Sequence, residues 1–231
     1  MKKIGIIGAM EIELKMLKKE LDGHEKISIN GLDFFCGHIK DTEVVIVRCG
    51  IGKVNAALCA QTLILQFKVT HIINTGIAGA ISSELRPLDI VLSTALAYHD
   101  VDLTKFGYPP CTLPNFPQQF AADEKLLCAA REVLERHSDL HFFCGLIASG
   151  DVFVATKECK QHIKKLLNPM CVEMEGAAIA HIAFLSRMPF IVIRAISDLA
   201  DDFGLETYEF NENKAAQNSA KVVMGMLEKE L

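Results

Sequence analysis

Towards the C-terminal end of the chain, the apolar run Phe190-Ile191-Val192-Ile193 gives way to Arg194-Ala195-Ile196-Ser197-Asp198. A cation and an acid therefore stand four residues apart where a core strand should surface. Open α/β sheets keep their chemistry at such strand exits. The first apolar run ends in the same way, with Ile4-Gly5-Ile6-Ile7-Gly8 leading into Ala9-Met10-Glu11-Ile12-Glu13, and Glu173-Met174-Glu175-Gly176 follows a third apolar stretch. Carboxylates at three strand exits point to an acid/base enzyme acting on a neutral, hydroxyl-rich substrate.

The elements that must position these residues alternate along the chain. Lys3–Gly8 reads as a strand, followed by a short helix, two weaker strands at Lys26–Asn30 and Asp33–His38 around a Gly31 turn, and a strand at Glu43–Cys49. Gly50-Ile51-Gly52-Lys53 then opens a helix, Val54–Phe67, with Ala57, Ala60, Leu63, Ile64 and Phe67 on one apolar face. Further strands are expected at His71–Thr75, Asp89–Ala97, Phe142–Ala148 and Phe190–Ile196, and further helices at Asp123–Arg136, Glu158–Leu167, Glu175–Leu185 and Asn213–Glu230. Strands separated by helices imply a largely parallel sheet with helices on both faces. Asp100–Gln119 is different, with four prolines and almost no periodicity. Irregular segments of that length usually serve as lids or subunit contacts, and exposure of Phe106, Tyr108, Leu113 and Phe116 here would leave a sticky surface that a second copy is expected to cover.

A chain of 231 residues, half of them hydrophobic, suits one α/β domain spanning residues 1–231. Its net charge of −5 and the lack of a basic block argue against nucleic acid as a partner. The first apolar run is too short for a signal-peptide core and no run reaches membrane-spanning length, so a soluble, cytoplasmic protein is expected. The eight cysteines are dispersed, with no C-x-x-C and no histidine at ligand spacing. They read as small buried hydrophobes in a reducing compartment, Cys49, Cys128 and Cys144 among them, and no metal site is expected. Neither G-x-G-x-x-G nor a P-loop is present, so no cofactor is expected.

The segments GIIGAMEIE (5–13), RCGIGKVNAA (48–57), NTGIAGA (74–80), YHDVD (98–102), SGDVF (149–153), VEMEGAAIAH (172–181) and RAISDLAD (194–201) resemble the 5'-methylthioadenosine/S-adenosylhomocysteine nucleosidases of the wider purine nucleoside phosphorylase superfamily. They stand in that family's order and the likeness runs from Lys3 to about Glu230. The resemblance implies an α/β sandwich with a mixed central sheet, a homodimer, and metal-free, cofactor-free hydrolysis of an adenine N-ribosidic bond. The 5' group is left open among methylthioadenosine, S-adenosylhomocysteine and 6-amino-6-deoxyfutalosine.

Cleaving a C–N glycosidic bond needs a proton donor at the departing purine and an activated water below the sugar. Asp198 suits the donor, since burial after a core strand should raise its pKa; on position alone a helix N-cap is the commoner use, and the RAISD match favours catalysis. Glu13 is the expected base, the alternative being a solvated first-turn acid, which is the reading preferred for Glu11. Arg194 either orients water and sugar or serves as counter-ion to Glu175 or Asp198. One carboxylate, Glu175, can accept from both hydroxyls of a diol, with Met174 packed on the sugar and Glu173 in a structural ion pair. The family's adenine pocket maps onto Phe153, as stacking ring, and Val154, as backbone reader. Its 5' pocket maps onto Met10, Ile51 and Tyr208, with Val101–Pro114 of the partner subunit. His99-Asp100 is read as a loop or interface pair. One departure stands out, because Ile77 occupies the place of the family's serine and Ala80 ends that loop.

Overall fold

The computed structural model describes residues 2–136, 139–202 and 204–228. β1 (Lys3–Gly8) is buried along nearly its whole length because it is paired in parallel on both edges, with β4 (Thr42–Arg48) and with β5 (His71–Ala80). A strand covered on both faces is uniformly apolar, as this one is. Between β1 and β4 the chain forms α1 (Glu11–Lys19) and the hairpin of β2 (Asp22–Ile29) and β3 (Leu32–Ile39). The hairpin reverses at Asn30 and Gly31, with φ of 52° and 78°.

The remaining elements are α2 (Lys53–Gln66), β6 (Ile90–Tyr98), β7 (Phe120–Ala121), α3 (Glu124–Glu135), β8 (Phe142–Ser149), α4 (Lys157–Leu167), β9 (Cys171–Glu173), α5 (Gly176–Ser186), β10 (Phe190–Asp198) and α6 (Gly204–Leu227). One sheet runs β2-β3-β4-β1-β5, continues through β10, β6, β8 and β9, and returns to β5, so that five strands close into a ring. α2 and α5 bury one apolar cluster against this sheet, while α1, α3 and α6 bury another on the opposite face. The domain is a mixed α/β sandwich, as the resemblance implied.

The periodicity reading of a largely parallel sheet needs correction, since antiparallel ladders are as numerous as parallel ones. The short strands β7 and β9, at two and three residues, are too brief to show a period of two. β5 does not stop at Thr75 and turn at its glycines. It continues to Ala80, because β10 pairs with it from Ile72 to Gly79 and β9 with its last two residues. α6 begins at Gly204, earlier than Asn213, and its expected end at Glu230 lies outside the described residues.

Two further expectations change. Within Asp100–Gln119 only a single 3-10 turn, Thr104–Phe106, is regular; Phe106 and Tyr108 are exposed, but Leu113 and Phe116 pack inward, with the Phe116 ring 4.4 Å from that of His181. All eight cysteines are free thiols, yet Cys128 and Cys144 are exposed. Cys128 lies off the α3 face that buries Leu126, Ala130, Val133 and Leu134, and Cys144 lies in the first half of β8, which is only partly covered.

Candidate active site

The ends of β1, β5 and β10 and the start of α5 enclose a cavity of about 290 Å³. Nine of the ten residues expected at the site line it: Glu13 and Asp198 on the carboxylate side, Met174 and Glu175 from the β9–α5 junction, and Met10, Ile51, Phe153, Val154 and Tyr208 from the apolar wall. The tenth, Arg194, lies behind the cavity and is 1% exposed.

Arg194 is opposite Gly76 in the β10–β5 ladder. Its Nη2 donates to Glu173 and to Asn74 Oδ1 at 2.7 Å, and stands 3.5 Å from Oε2 of Glu175. Asn74 is itself fixed by donating to the carbonyl of Ile7 at 2.9 Å. A Cβ at position 76 would collide with Nη1 of Arg194 and Oε1 of Glu13, so only glycine there lets the two groups approach. Burial works against the guanidinium charge, but Glu173, Glu175 and Glu13 outweigh it and hold the pKa up. Of the two counter-ion partners considered from sequence, Glu175 is one, but Asp198 is not. The closest is Glu173.

Glu173 is consumed by structure. It accepts from the hydroxyl of Ser149 and from the N–H groups of Glu175, at 3.0 Å, and of Gly176, at 2.9 and 2.8 Å, at the start of α5. Negative charge is favoured at that helix end. Glu175 faces the cavity, and its Oε1 accepts from Gly52 N–H at 2.9 Å. Burial first, then repulsion from Glu173, push its pKa to about 8 against the pull of Arg194. The donating loop uses both its glycines at positive φ, 85° at Gly50 and 100° at Gly52. It is clamped by Lys53, whose N–H reaches Asp151 at 2.8 Å and whose ammonium reaches Asp100 at 2.6 Å. Asp100 thus serves as a loop anchor, as expected of the His99-Asp100 pair.

Glu13 is held at both oxygens. Oε2 accepts from Met10 N–H at 2.9 Å and Oε1 from Ile77 N–H at 3.1 Å. Burial raises its pKa, with Arg194 and the backbone donors opposing. Residue 77 therefore contributes through its backbone whatever side chain it carries. Glu11 points elsewhere, paired with Lys18 at 2.8 Å on an exposed helix face. Asp198 closes β10 well before α6 begins, so it is no N-cap. Its Oδ1 accepts from Ala200 N–H and its Oδ2 from the Ser197 hydroxyl, each at 2.8 Å. Burial raises its pKa in spite of both bonds.

On the apolar side Phe153 is 46% exposed, which rules out a core ring, and meets Tyr208 edge-on at 5.8 Å. The Tyr208 hydroxyl stands 3.5 Å from the Met10 sulfur. Sequence reasoning missed Asn74, Ser149, Asp151 and the specific duty of Gly52. Only the glycines carried a local signal, as paired turn residues before a helix. Among the described residues no group of three or more His, Cys, Asp or Glu side chains is placed to hold a metal, and no helix is long and apolar enough to cross a membrane.

This fold and site define a member of the Phosphorylase superfamily, whose family profile matches residues 3–228. The chain is 42% identical over 225 residues to the 5'-methylthioadenosine/S-adenosylhomocysteine nucleosidase of Staphylococcus carnosus, covering 97% of this chain and 98% of that one. The nucleosidase of Colwellia psychrerythraea, solved in complex with adenine, superposes with a TM-score of 0.95 at 41% identity, covering 98% of this chain and 95% of that one. The futalosine hydrolase of Helicobacter pylori superposes with a TM-score of 0.94 at 34% identity, covering 98% and 97%. The chain belongs to the family of 5'-methylthioadenosine/S-adenosylhomocysteine nucleosidases.

The raised carboxyl pKa values carry a consequence for stability. Glu175 titrates at about 8 when folded against an ordinary 4.5, and Glu13 and Asp198 shift in the same direction. Between those limits these carboxyls hold more protons folded than unfolded, a contribution that lowers stability as pH rises, whereas His71, His99 and His181, whose pKa values burial pushes below the ordinary 6.5, contribute the opposite slope up to that range. Above the histidine range, denaturant unfolding of the ligand-free protein is expected to give a lower free energy at pH 8.5 than at pH 7, with a shallower fall in Glu175→Gln; a slope that Glu175→Gln leaves unchanged would contradict the raised pKa of this group.

Proposed function

We propose that the cavity takes a whole nucleoside, with adenine against Phe153 and the backbone of Val154, ribose on Met174 with its 2',3'-diol at Glu175, and the 5' substituent against Met10, Ile51 and Tyr208. The protein is an N-ribosyl hydrolase that releases adenine from 5'-substituted adenosines. The observation that carries the assignment of roles is that three buried carboxyls, Glu13, Glu175 and Asp198, face one cavity with an apolar far wall.

In this reading Asp198, whose neutral form burial favours, gives its proton to purine N7 as the bond between the sugar and the base breaks and its electron pair leaves with adenine. Glu13 takes a proton from the water that attacks the sugar carbon, and its charge favours the cationic ribosyl centre. Arg194 acts from behind, holding Glu175 in place and tempering Glu13. Glu175 spends Oε1 on Gly52, so Oε2 is the acceptor for the diol. Ile77 brings no hydroxyl, which leaves the water to Glu13. An apolar 5' wall suits a thioether and tolerates larger tails, futalosine-like ones included, whereas unsubstituted adenosine fills none of it.

Phosphorolysis is the rival within the superfamily. It would need cations under the ribose, and the cation nearest Glu13, Arg194, is 1% exposed and lies behind the cavity wall. Adenine release from methylthioadenosine is expected in phosphate-free buffer, and Asp198→Asn should bind adenine while losing about 10²–10⁴ of turnover. Full turnover in that variant would sink the role of Asp198. A strict phosphate requirement would establish phosphorolysis, and no turnover at all would establish a binding protein.

We also propose a homodimer in a reducing, cytoplasmic setting, which suits eight free thiols. Val54, Leu58 and Leu65 on α2, Phe184 and Leu185 on the adjoining α5, and Phe106 and Tyr108 in the irregular segment are all at least 40% exposed. Apolar surface on this scale calls for a partner. Light scattering at micromolar concentration should report a dimer, and a fully active monomer would refute it.

A further inference from the structure

The carboxyl of Asp198 is aimed by the bend that follows it. Ala200 is completely buried, stands at φ 48°, and its N–H is the donor to Asp198 Oδ1. Left-handed geometry is unfavourable for alanine, so the bend must be held by its neighbours. Those neighbours are on α4. The ammonium of Lys160 donates to the carbonyl of Leu199 at 2.5 Å, between Asp198 and Ala200. One turn earlier, Lys157 pairs with Asp202 at 3.2 Å through its ammonium and at 3.3 Å through its backbone N–H. Thr156 caps this helix by accepting from Cys159 N–H. Since Phe153 and Val154 lead directly into α4, one helix fixes both sides of the cavity that face the base.

We propose that Lys160 is a positioning residue for Asp198, pinning the 199–202 bend and placing a positive charge beside the carboxyl. The inference rests on the reading of Asp198 as general acid. The charged and titratable groups that act on this carboxyl are Lys160 from α4, Asp201 from its own loop, Tyr208 from α6 and Cys171 from β9. Lys160 is the cation of that set. Its charge opposes the rise that burial imposes on Asp198, while burial weakens the ammonium and Asp201 first, then Asp198, support it. An acid whose pKa sits near the working pH transfers its proton most effectively, and one pushed further up is a poorer donor.

The test compares Lys160→Met, Lys160→Arg and Asp198→Asn in adenine release as a function of pH. A ¹³C titration of the aspartate carboxyls, with Asp198 assigned from the Asn variant, supplies a readout independent of turnover. Because the acid must be protonated, activity falls as pH rises through its pKa. Lys160→Met is expected to lower kcat about tenfold, with KM little changed, and to move the alkaline limb and the Asp198 titration upward. Lys160→Arg should restore both. Unchanged limb and titration in the Met variant would overturn the proposal, as would a slowed enzyme with an unmoved titration, which would mark a purely structural lysine. Full activity of Asp198→Asn would instead remove the general-acid reading beneath it. If Lys160→Met fails to fold, Lys160→Gln gives the same charge comparison.

Discussion

A guanidinium with almost no access to water sits at the centre of this molecule, and the arrangement around it follows from the need to neutralise it. Burying an unpaired charge costs several kcal/mol even after relaxation, so the surrounding chain must supply anions and acceptors in good geometry. Arg194 obtains them from Glu173, Glu175 and Asn74, with Glu13 across Gly76. Of the two carboxyls left facing the cavity near it, Glu175 stands within ion-pair distance of this residue, which never touches the cavity wall, and Glu13 feels its charge across Gly76 while backbone N–H groups hold it.

That constraint explains the backbone as well as the side chains. β5 carries glycine at positions 76 and 79 because Arg194 with Glu13 occupies the space beside the first and Asp198 the space beside the second. The closed ring of β5, β10, β6, β8 and β9 sets Glu173 beside Ser149 and within reach of the Arg194 side chain, so that the hydroxyl, the carboxylate and the first N–H groups of α5 form one network. Removing the charge from Glu173 would weaken the helix start and the arginine together. Asp198 stands apart from this network, and α4 governs it instead.

The sequence made the site far more legible than the sheet. Residues with chemistry were visible because each broke an apolar strand at its exit, which is how Glu13, Glu175 and Asp198 drew notice before any likeness was used. Ladder direction was legible at the Gly31 hairpin and hidden elsewhere, since β7 and β9 are too short for alternation. The extension of β5 through Gly76 and Gly79 could not be read locally because glycine there signals close approach of distant side chains rather than a turn. Arg194 was found as a residue and only half resolved as a role, because its partner depends on where β9 docks. Phe116 and Leu113 looked exposed in a proline-rich segment, yet Leu113 packs on the apolar cluster and the Phe116 ring lies against His181 and Phe184 of α5.

The most direct test of this account is a double-mutant cycle on the unfolding free energy at pH 7, with Arg194→Met, Glu173→Gln and the two combined. If Arg194 exists in the core because Glu173 neutralises it, Arg194→Met alone should cost about 3–5 kcal/mol by stranding a buried carboxylate. The double variant, with neither charge, should then be more stable than the sum of the single losses by well over about 0.5 kcal/mol. Losses that add within that margin would mean that the pair is not what holds the site together.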